Sequence, residues 1–182
     1  MSQALLLIDL QNDYFPGGAM ELSASTEAGL RAAELLQAFR HRALPVIHIQ
    51  HVSTRPDATF FRPDTEGVRI HEFVTPFPGE NVFQKNFPNC FRDTPLLDHL
   101  REREITQLVI GGMMTHMCID ASTRAAFDLG FRCVLAHDAC ATRSLSFADT
   151  TVSAENVQAA FLSALDGLFA RVSNVEELCA RL

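Results

Sequence analysis

Three side chains of this sequence have the chemistry for nucleophilic catalysis, and each lies at or just beyond a predicted strand end. Asp9 ends the apolar run LLLID, Lys85 follows a short extended piece, and Cys118 comes a few residues after LVIGG. If the strands are parallel, all three meet at one edge of a sheet, where α/β folds bind ligands. There an ammonium group would stabilise both a carboxylate and a thiolate, and would orient the carboxylate toward the sulfur proton.

Cys118 is the strongest candidate nucleophile, because Gly111-Gly112 ends a strand and THMCIDAST begins a helix. The first turn of a helix carries free N–H groups and a positive dipole end, which we expect to lower the pKa of the thiol. The same N–H groups could bind an oxyanion. The alternative is a buried cysteine that acts only as a small apolar side chain.

Asp9 and Lys85 each have a functional and an ordinary interpretation. Four apolar residues precede Asp9, and a partly desolvated carboxylate suits acid or base catalysis, whereas turn capping is the alternative. Lys85 lies among apolar and aromatic residues in VFQKNF, and the alternative is a solvated surface charge. The chain has fourteen arginines and this one lysine, and that exception favours a specific role for Lys85.

The histidines give weak grounds for a metal site. His48 and His51 lie three apart on or just after a strand, and alternation puts them on opposite faces, which suits a shared metal poorly. His116 precedes Cys118 by two residues, so the two side chains of a helix would point apart, and we place His116 in a substrate pocket or at the surface. We expect neither a metal nor a cofactor.

Short apolar runs and helical periodicities alternate along the chain and predict the elements that position these side chains. Strands are predicted at 4–10, 46–50, 82–85, 106–111 and 131–136, and helices at 26–42, 95–103, 115–129 and 153–169, with a short strand and helix at the end. Thr94 and Ser153 are the predicted N-caps of two helices. The pattern favours a single-domain, three-layer α/β/α (Rossmann-like) fold over 1–182, with a mainly parallel sheet of about six strands.

Residues 51–80 form a long segment that contains four prolines and shows no clear period. Long loops of this kind are usually functional, so we expect a lid or a partner contact. With the apolar helices, this aromatic segment suggests self-association as a dimer or a tetramer.

The amino-acid composition indicates which kinds of partner and which cellular compartment to expect. The 22 acidic and 15 basic side chains give a net charge of −7, and without a basic run this disfavours nucleic acid or an anionic membrane as the main partner. No apolar stretch approaches the ~20 residues of a membrane helix, and the N-terminus lacks the features of a signal peptide. The five cysteines match no paired spacing. We therefore expect a cytoplasmic protein that acts on a small molecule.

Four ordered blocks of the chain resemble those of the isochorismatase-like cysteine hydrolases. They are LLLIDLQNDYF, VFQKNFPNCFRDTPLLDHL, GGMMTHMCIDASTRAAFDLGF and CVLAHDACAT. The resemblance implies a triad of Asp9, Lys85 and Cys118, in which the aspartate takes the thiol proton, the thiolate attacks a carbonyl carbon, and water hydrolyses the acyl-enzyme. It further implies an oxyanion hole formed by the backbone N–H groups of Met114 and Cys118, and a cis peptide bond between Met113 and Met114.

Differences from the family pattern indicate which of the family's reactions to expect. Nicotinamidases of the family have an Asp-x-His metal site, where this chain has HIQHVSTRPDATFF, and that disfavours both a metal and nicotinamidase activity. The cysteine favours hydrolysis of a small amide or related C–N bond over the vinyl-ether hydrolysis of isochorismatases proper, which is the alternative within the enzyme class. A non-catalytic or redox-sensing relative, in which Cys118 is oxidised or simply buried, is the alternative outside that class.

The substrate pocket is the least defined part of the prediction. Its candidate residues are Phe15, Phe87, Thr115 and His116. Further phenylalanines that could line an apolar pocket are Phe60, Phe61 and Phe147. Each phenylalanine has an alternative place in the core or at an interface.

Overall fold

The apolar run at the start of the chain forms a central strand of a six-stranded parallel sheet in the computed structural model, which describes residues 2–182. The strands are β1 (Gln3–Ile8), β2 (Val46–His51), β3 (Asn81–Lys85), β4 (Gln107–Met113), β5 (Arg132–Ala141), β6 (Leu145–Phe147), β7 (Thr150–Val152) and β8 (Arg171–Ser173). The strand order in the sheet is β3-β2-β1-β4-β5-β8, and β6 and β7 pair antiparallel in a separate hairpin. This order places β1 between β2 and β4.

Helices cover both faces of the sheet, because alternate side chains of a strand point to opposite faces. The helices are α1 (Ser25–His41), α2 (Leu96–Glu102), α3 (Asp120–Asp128), α4 (Ala154–Leu165) and α5 (Val175–Arg181). On β1, Leu5 and Leu7 pack in one core cluster with α1 and α5. Leu6 and Ile8 pack in a second cluster with α2, α3 and α4. The predicted three-layer α/β/α fold is confirmed.

Several element boundaries differ from the prediction for local reasons. Strand β5 continues to Ala141 instead of ending near residue 136, because its register with β4 shifts between Ile110 and Gly112, which leaves extra β5 residues in a bulge. Helix α2 begins at Leu96, so Pro95 and not Thr94 is its N-cap; the Thr94 hydroxyl donates to the Cys90 carbonyl and accepts only a long bond of 3.5 Å from the Leu96 N–H. The predicted helix at 115–129 is split into a π-helical turn at Thr115–Ile119 and helix α3.

Helix α4 begins as predicted and ends earlier than predicted. The hydroxyl of Ser153 accepts a hydrogen bond from the backbone N–H of Asn156, which confirms the predicted N-cap. The helix stops at Leu165, because Asp166 is extended and Gly167 has a left-handed φ of 85°.

The segment between β2 and β3 is fixed against the residues that follow β1. The Asp13 carboxylate accepts a hydrogen bond of 2.6 Å from the backbone N–H of Phe61. The backbone N–H groups of Asn12 and Asp13 donate to the carbonyls of Arg69 and Gly67 at 3.0 and 2.9 Å. The segment predicted as a long functional loop therefore packs beside the carboxyl end of β1.

Two further observations concern an exposed hairpin and the character of the helices. The hairpin of β6 and β7, which the sequence analysis did not predict, is exposed along both strands, and its Phe147 side chain is 89% exposed. Among residues 2–182, none of the helices combines the length and the apolar character that crossing a membrane requires.

Candidate active site

The carboxyl ends of four neighbouring strands meet at one edge of the sheet and hold the candidate residues. Asp9 directly follows β1, His51 and Lys85 are the last residues of β2 and β3, and Cys118 lies in the π-helical turn after β4. In the register of the parallel β2–β3 pair, His51 and Lys85 are direct partners. The strand order therefore places a carboxylate, an imidazole, an ammonium and a thiol together.

The ammonium group of Lys85 lies at the centre of this set. Its Nζ is 2.7 Å from Asp9 Oδ2, 2.9 Å from His51 Nδ1 and 3.2 Å from Cys118 Sγ. Lys85 and Asp9 are 1% and 0% exposed, so their ion pair is shielded from water. An ammonium group has three N–H donors, and here each donor has one acceptor. The structure thus brings Asp9, Lys85 and Cys118 together and adds His51 as a fourth member.

A close approach of two backbones precedes the turn that carries Cys118. Gly112 has a φ of +136°, and a Cβ atom at this position would lie 2.0 Å from the carbonyl oxygen of Ile8, so only glycine fits here. The next peptide bond, Met113–Met114, is cis. The Met114 carbonyl then accepts hydrogen bonds from two N–H groups of the π-helical turn. The turn directs Cys118, which is 4% exposed, toward Lys85.

The protonation state of Cys118 differs from the sequence-based expectation. Burial, followed by the negative charge of Asp9, raises the pKa of the thiol well above its usual value, and the Lys85 ammonium opposes this only in part. The expected lowering of the thiol pKa is wrong, because the sulfur is desolvated inside the site and a carboxylate faces it. Burial disfavours the ammonium form of Lys85, yet Asp9 and Cys118 reverse this effect and leave its pKa raised. The resting site therefore combines a neutral thiol with a charged lysine.

The second oxygen of Asp9 is available for a proton. Asp9 Oδ1 is buried and has no hydrogen-bond partner within residues 2–182, whereas Oδ2 accepts from Lys85. A carboxylate oxygen of Asp9, the Cys118 sulfur and a His51 nitrogen lie within 4.8 Å of one another. Lys85 therefore holds one carboxylate oxygen, the other has no partner, and the carboxylate lies beside the thiol.

His51 is a site residue whose place in the site the sequence analysis missed. Burial and the positive charge of Lys85 lower the pKa of His51 to about 4. The imidazole is therefore neutral near pH 7, and its Nδ1 accepts a hydrogen bond from Lys85. The signal for this contact is the strand order, which places β2 next to β3, and that order is a tertiary property.

The donors of Asp9, His51 and Cys118 are of the kind that binds zinc, but Lys85 occupies their centre. A metal ion would need the three donor atoms that the ammonium holds at 2.7–3.2 Å. The Lys85 side chain is buried together with Asp9, so this position is enclosed by the protein. The donor set therefore does not fit a metal while Lys85 is charged.

His48 does not join this set. Its Nε2 pairs with Glu80 Oε2 at 3.0 Å. His51 instead bonds to Lys85, so the two histidines face different neighbours, in agreement with the predicted alternation.

The two aromatic pocket candidates have partners within the protein. Phe15 is 3% exposed and its ring stacks on His71, with centroids 3.6 Å apart. Phe87 is half-buried, and the guanidinium carbon of Arg92 lies 3.5 Å above its ring centroid. Of these two rings, only Phe87 retains appreciable exposed surface.

The two polar pocket candidates lie in the turn that contains Cys118. Thr115 is fully buried, and its hydroxyl donates to the Ala141 carbonyl at 3.2 Å. His116 is half-buried, and its Nδ1 lies 2.5 Å from the Thr142 hydroxyl oxygen. Both side chains thus tie the turn to the end of β5.

Tyr14 is a second residue that the sequence analysis did not assign to the site. It is 2% exposed, and its ring centroid lies 4.5 Å from that of Phe61. Burial, and then the charges of Cys118 and Asp9, raise the pKa of its phenol. The phenol is therefore neutral, and this polar group belongs to the same electrostatic environment as the thiol.

Comparisons with known proteins show one family over nearly the whole chain. The family model for the Isochorismatase domain matches residues 3–177. The chain is 48% identical over 176 residues to the uncharacterized isochorismatase family protein YddQ of Bacillus subtilis, covering 97% of this chain and 98% of YddQ. It is 26% identical over 212 residues to the ureidoacrylate amidohydrolase RutB of Cronobacter turicensis, covering 98% of this chain and 88% of RutB.

The fold is also found in solved structures. A structure described as an isochorismatase hydrolase, from Oleispira antarctica, superimposes with a TM-score of 0.94 at 48% sequence identity, covering 98% of this chain and 96% of that one. The match extends over the strands that carry Asp9, Lys85 and Cys118. The chain therefore belongs to the isochorismatase family and is a hydrolase of that family.

Proposed function

We propose that this protein hydrolyses a small-molecule amide or related C–N bond through a thioester acyl-enzyme on Cys118. Asp9 acts as the general base, and Lys85 is the electrostatic partner of Asp9 and Cys118. No metal takes part. The observation that carries this proposal is the buried Asp9 carboxylate, which has one oxygen without a partner among residues 2–182 and lies within 4.8 Å of the Cys118 sulfur. A neutral thiol and a free carboxylate oxygen are the two groups that a proton transfer requires.

The first half of the reaction forms the thioester. As the Cys118 sulfur attacks the acyl carbon, its proton passes to Asp9, and the carbonyl electron pair moves onto oxygen. The backbone N–H groups of Met114 and Cys118 donate to this oxyanion, the role that the family resemblance implies for them. Collapse of the tetrahedral intermediate breaks the C–N bond, and Asp9 returns the proton to the leaving nitrogen.

The second half of the reaction releases the acid. Water attacks the thioester carbon while Asp9 takes one of its protons, and the C–S bond then breaks. The departing sulfur of Cys118 regains a proton from Asp9, which restores the resting state. The sum is amide and water giving carboxylic acid and amine, so no redox partner is required.

Lys85 keeps the charges balanced through this cycle. The Asp9 carboxylate pairs with the ammonium before proton transfer, and while the proton passes to Asp9 the charge that develops on the sulfur lies beside the same ammonium. Because the ammonium contacts Asp9 and the sulfur at 2.7 and 3.2 Å, it stabilises the charge on both until the carbonyl oxygen takes up the electron pair.

Two observations support a C–N bond over a vinyl ether as the target. The site contains a thiol 3.2 Å from the Lys85 ammonium, and a nucleophilic sulfur suits attack on an acyl carbon. RutB, which this chain resembles over 98% of its length, is named as an amidohydrolase. A small molecule is the substrate that we propose, since the reacting groups lie within a few ångströms of one another in a buried site.

The test is a comparison of Cys118→Ala and Cys118→Ser with the unaltered enzyme on a panel of small amides and ureides that also includes isochorismate. We expect Cys118→Ala to lose activity by at least ~10³-fold. Rapid acid quenching and mass spectrometry should find the acyl adduct on the Cys118 peptide. Cys133→Ala is the matched control, since Cys133 is also buried, at 7% exposed, and lies on β5.

Two results would contradict the proposal. One is turnover of an amide by Cys118→Ala at the rate of the unaltered enzyme. The other is hydrolysis of isochorismate by Cys118→Ala with no amide turned over by either protein, which would indicate vinyl-ether chemistry that does not need the sulfur.

A further inference from the structure

The Lys85 ammonium has three N–H donors, and the triad uses two of them. Asp9 Oδ2 and Cys118 Sγ accept two, at 2.7 and 3.2 Å. The third meets His51 Nδ1 at 2.9 Å, closer than the sulfur. The three N–H bonds turn together about the Cε–Nζ bond, so the third acceptor strengthens the hold that Asp9 and Cys118 already exert and leaves no buried N–H without a partner.

His51 is itself held in a way that aims its Nδ1. The buried Gln11 side chain forms a two-bond clamp on the His51 backbone, since Gln11 Oε1 accepts from the His51 N–H at 2.7 Å and Gln11 Nε2 donates to the His51 carbonyl at 2.9 Å. The imidazole ring packs beside the Phe61 ring, with centroids 5.7 Å apart. The backbone and the ring of His51 are thus both fixed by residues outside the triad.

We propose that His51 is a positioning residue for catalysis, which accepts the third N–H of Lys85 and thereby locks the ammonium toward Asp9 and Cys118. This inference rests on the proposed function, because it concerns how the triad is held. His51 acts through Lys85, so its contribution is geometric. With three acceptors every N–H of the buried ammonium is satisfied, whereas without His51 one N–H is left unsatisfied and the ammonium is held less firmly toward Asp9 and Cys118.

The neutral form of His51 is the form that can do this. The charged or titratable groups that face it are Lys85, Asp9 and Cys118. A proton on Nδ1 would remove the acceptor lone pair and set an imidazolium against the ammonium. The pKa of about 4 keeps Nδ1 free across the neutral range and supports the assignment of Lys85 as the donor.

Two substitutions distinguish the effect of the His51 acceptor atom from the effect of its aromatic ring. In His51→Asn the amide oxygen can take the place of Nδ1, whereas His51→Phe keeps an aromatic ring beside Phe61 and removes the acceptor. We expect His51→Phe to lower kcat about tenfold or more, as expected for a lost hydrogen bond to a charged group, with KM changed less than about threefold. His51→Asn should restore most of that loss. His99→Phe, at another half-buried histidine outside the site, is the control that should match the unaltered enzyme.

A measurement without substrate tests the positioning directly. Since Lys85 is the chain's one lysine, protein labelled with [ε-¹⁵N]lysine gives a single ammonium signal. We expect its protons to exchange with water about tenfold faster in His51→Phe than in the unaltered protein and in His51→Asn. Thermal unfolding confirms in parallel that all variants are folded.

The outcomes separate this inference from the proposed function. Equal proton exchange in His51→Phe and the unaltered protein overturns the positioning role, as does a kcat for His51→Asn as low as that of His51→Phe. Turnover by Cys118→Ala instead overturns the proposed function, whatever the exchange of the Lys85 protons.

Discussion

Substitution of Lys85 by methionine tests how far this site depends on one cation. The change keeps most of the side-chain stem and removes the charge and three donors. Asp9, 0% exposed and with Oδ1 already unpartnered, would then be a buried carboxylate without a counterion. Removing one member of a buried ion pair destabilises a protein by ~3–5 kcal/mol, so we expect Lys85→Met to lose about this much of its free energy of unfolding at pH 7.

The loss should depend on pH in a defined direction. In folded Lys85→Met, Asp9 relieves the unpaired charge by holding a proton, whereas the unfolded chain releases that proton near pH ~4. The folded variant therefore binds more protons than the unfolded chain above this pH, and its stability decreases as the pH rises. Urea denaturation between pH 4 and pH 8 measures this, and the gap between unaltered protein and variant should widen toward pH 8.

Two controls decide whether the reasoning is correct. The double variant Lys85→Met/Asp9→Asn removes both charges and should recover much of the stability, but no activity. Arg55→Met breaks an ion pair with Asp57 of comparable length, 2.8 Å, at the surface, and should leave the denaturation midpoint nearly unchanged. The account of the site fails if Lys85→Met is as stable as Arg55→Met, or if the double variant is no more stable than Lys85→Met.

Lys85→Arg keeps the charge and tests the geometry alone. The three acceptors surround a single nitrogen at 2.7–3.2 Å, and a planar guanidinium spreads its donors over three nitrogens. We expect this variant to be folded and inactive on any substrate that the unaltered enzyme hydrolyses. Full activity would return Lys85 to the status of an ordinary counterion.

Two further predictions concern the thiol and the turn that carries it. Because burial and Asp9 raise the pKa of Cys118, its alkylation by iodoacetamide should be slow at pH 7 and still accelerate above pH 9. Peptide mass spectrometry over a pH series measures this rate. A rate that levels off below pH 8 would contradict the prediction. Gly112→Ala should lose at least ~2 kcal/mol in urea denaturation, because its Cβ would lie 2.0 Å from the Ile8 carbonyl oxygen. Gly130→Ala, where φ is also positive at +92° and the new Cβ would meet open space, should lose only ~1 kcal/mol, and equal losses would exclude the clash as the cause.

Local sequence patterns were sufficient to predict the strands of the main sheet and the helices around it. The apolar run LLLID predicts a strand buried on both faces, and β1 has this burial. The N-cap at Ser153 is also a local feature, because its hydroxyl bonds to the N–H three residues later, within one turn. These features depend on neighbours in the chain, so the sequence contains the whole of the signal.

The hairpin of β6 and β7 and the split of the helix at 115–129 needed the tertiary structure. The hairpin strands are three residues each and fully or partly exposed, too short and too polar on average to show a period. The π-helical turn follows a glycine whose φ of +136° is set by the approach of β1 and β4, and that contact joins residues about a hundred positions apart.

The site, too, has features that the sequence predicts and features that only the tertiary structure decides. The sequence by itself determined which groups stand at strand ends, and so predicted Asp9, Lys85 and Cys118 as one set. Only the tertiary structure decided the order of the strands, and with it the contact of His51 with Lys85. It also decided the protonation of Cys118, because desolvation depends on everything packed around the sulfur, whereas the sequence shows only the helix that follows it.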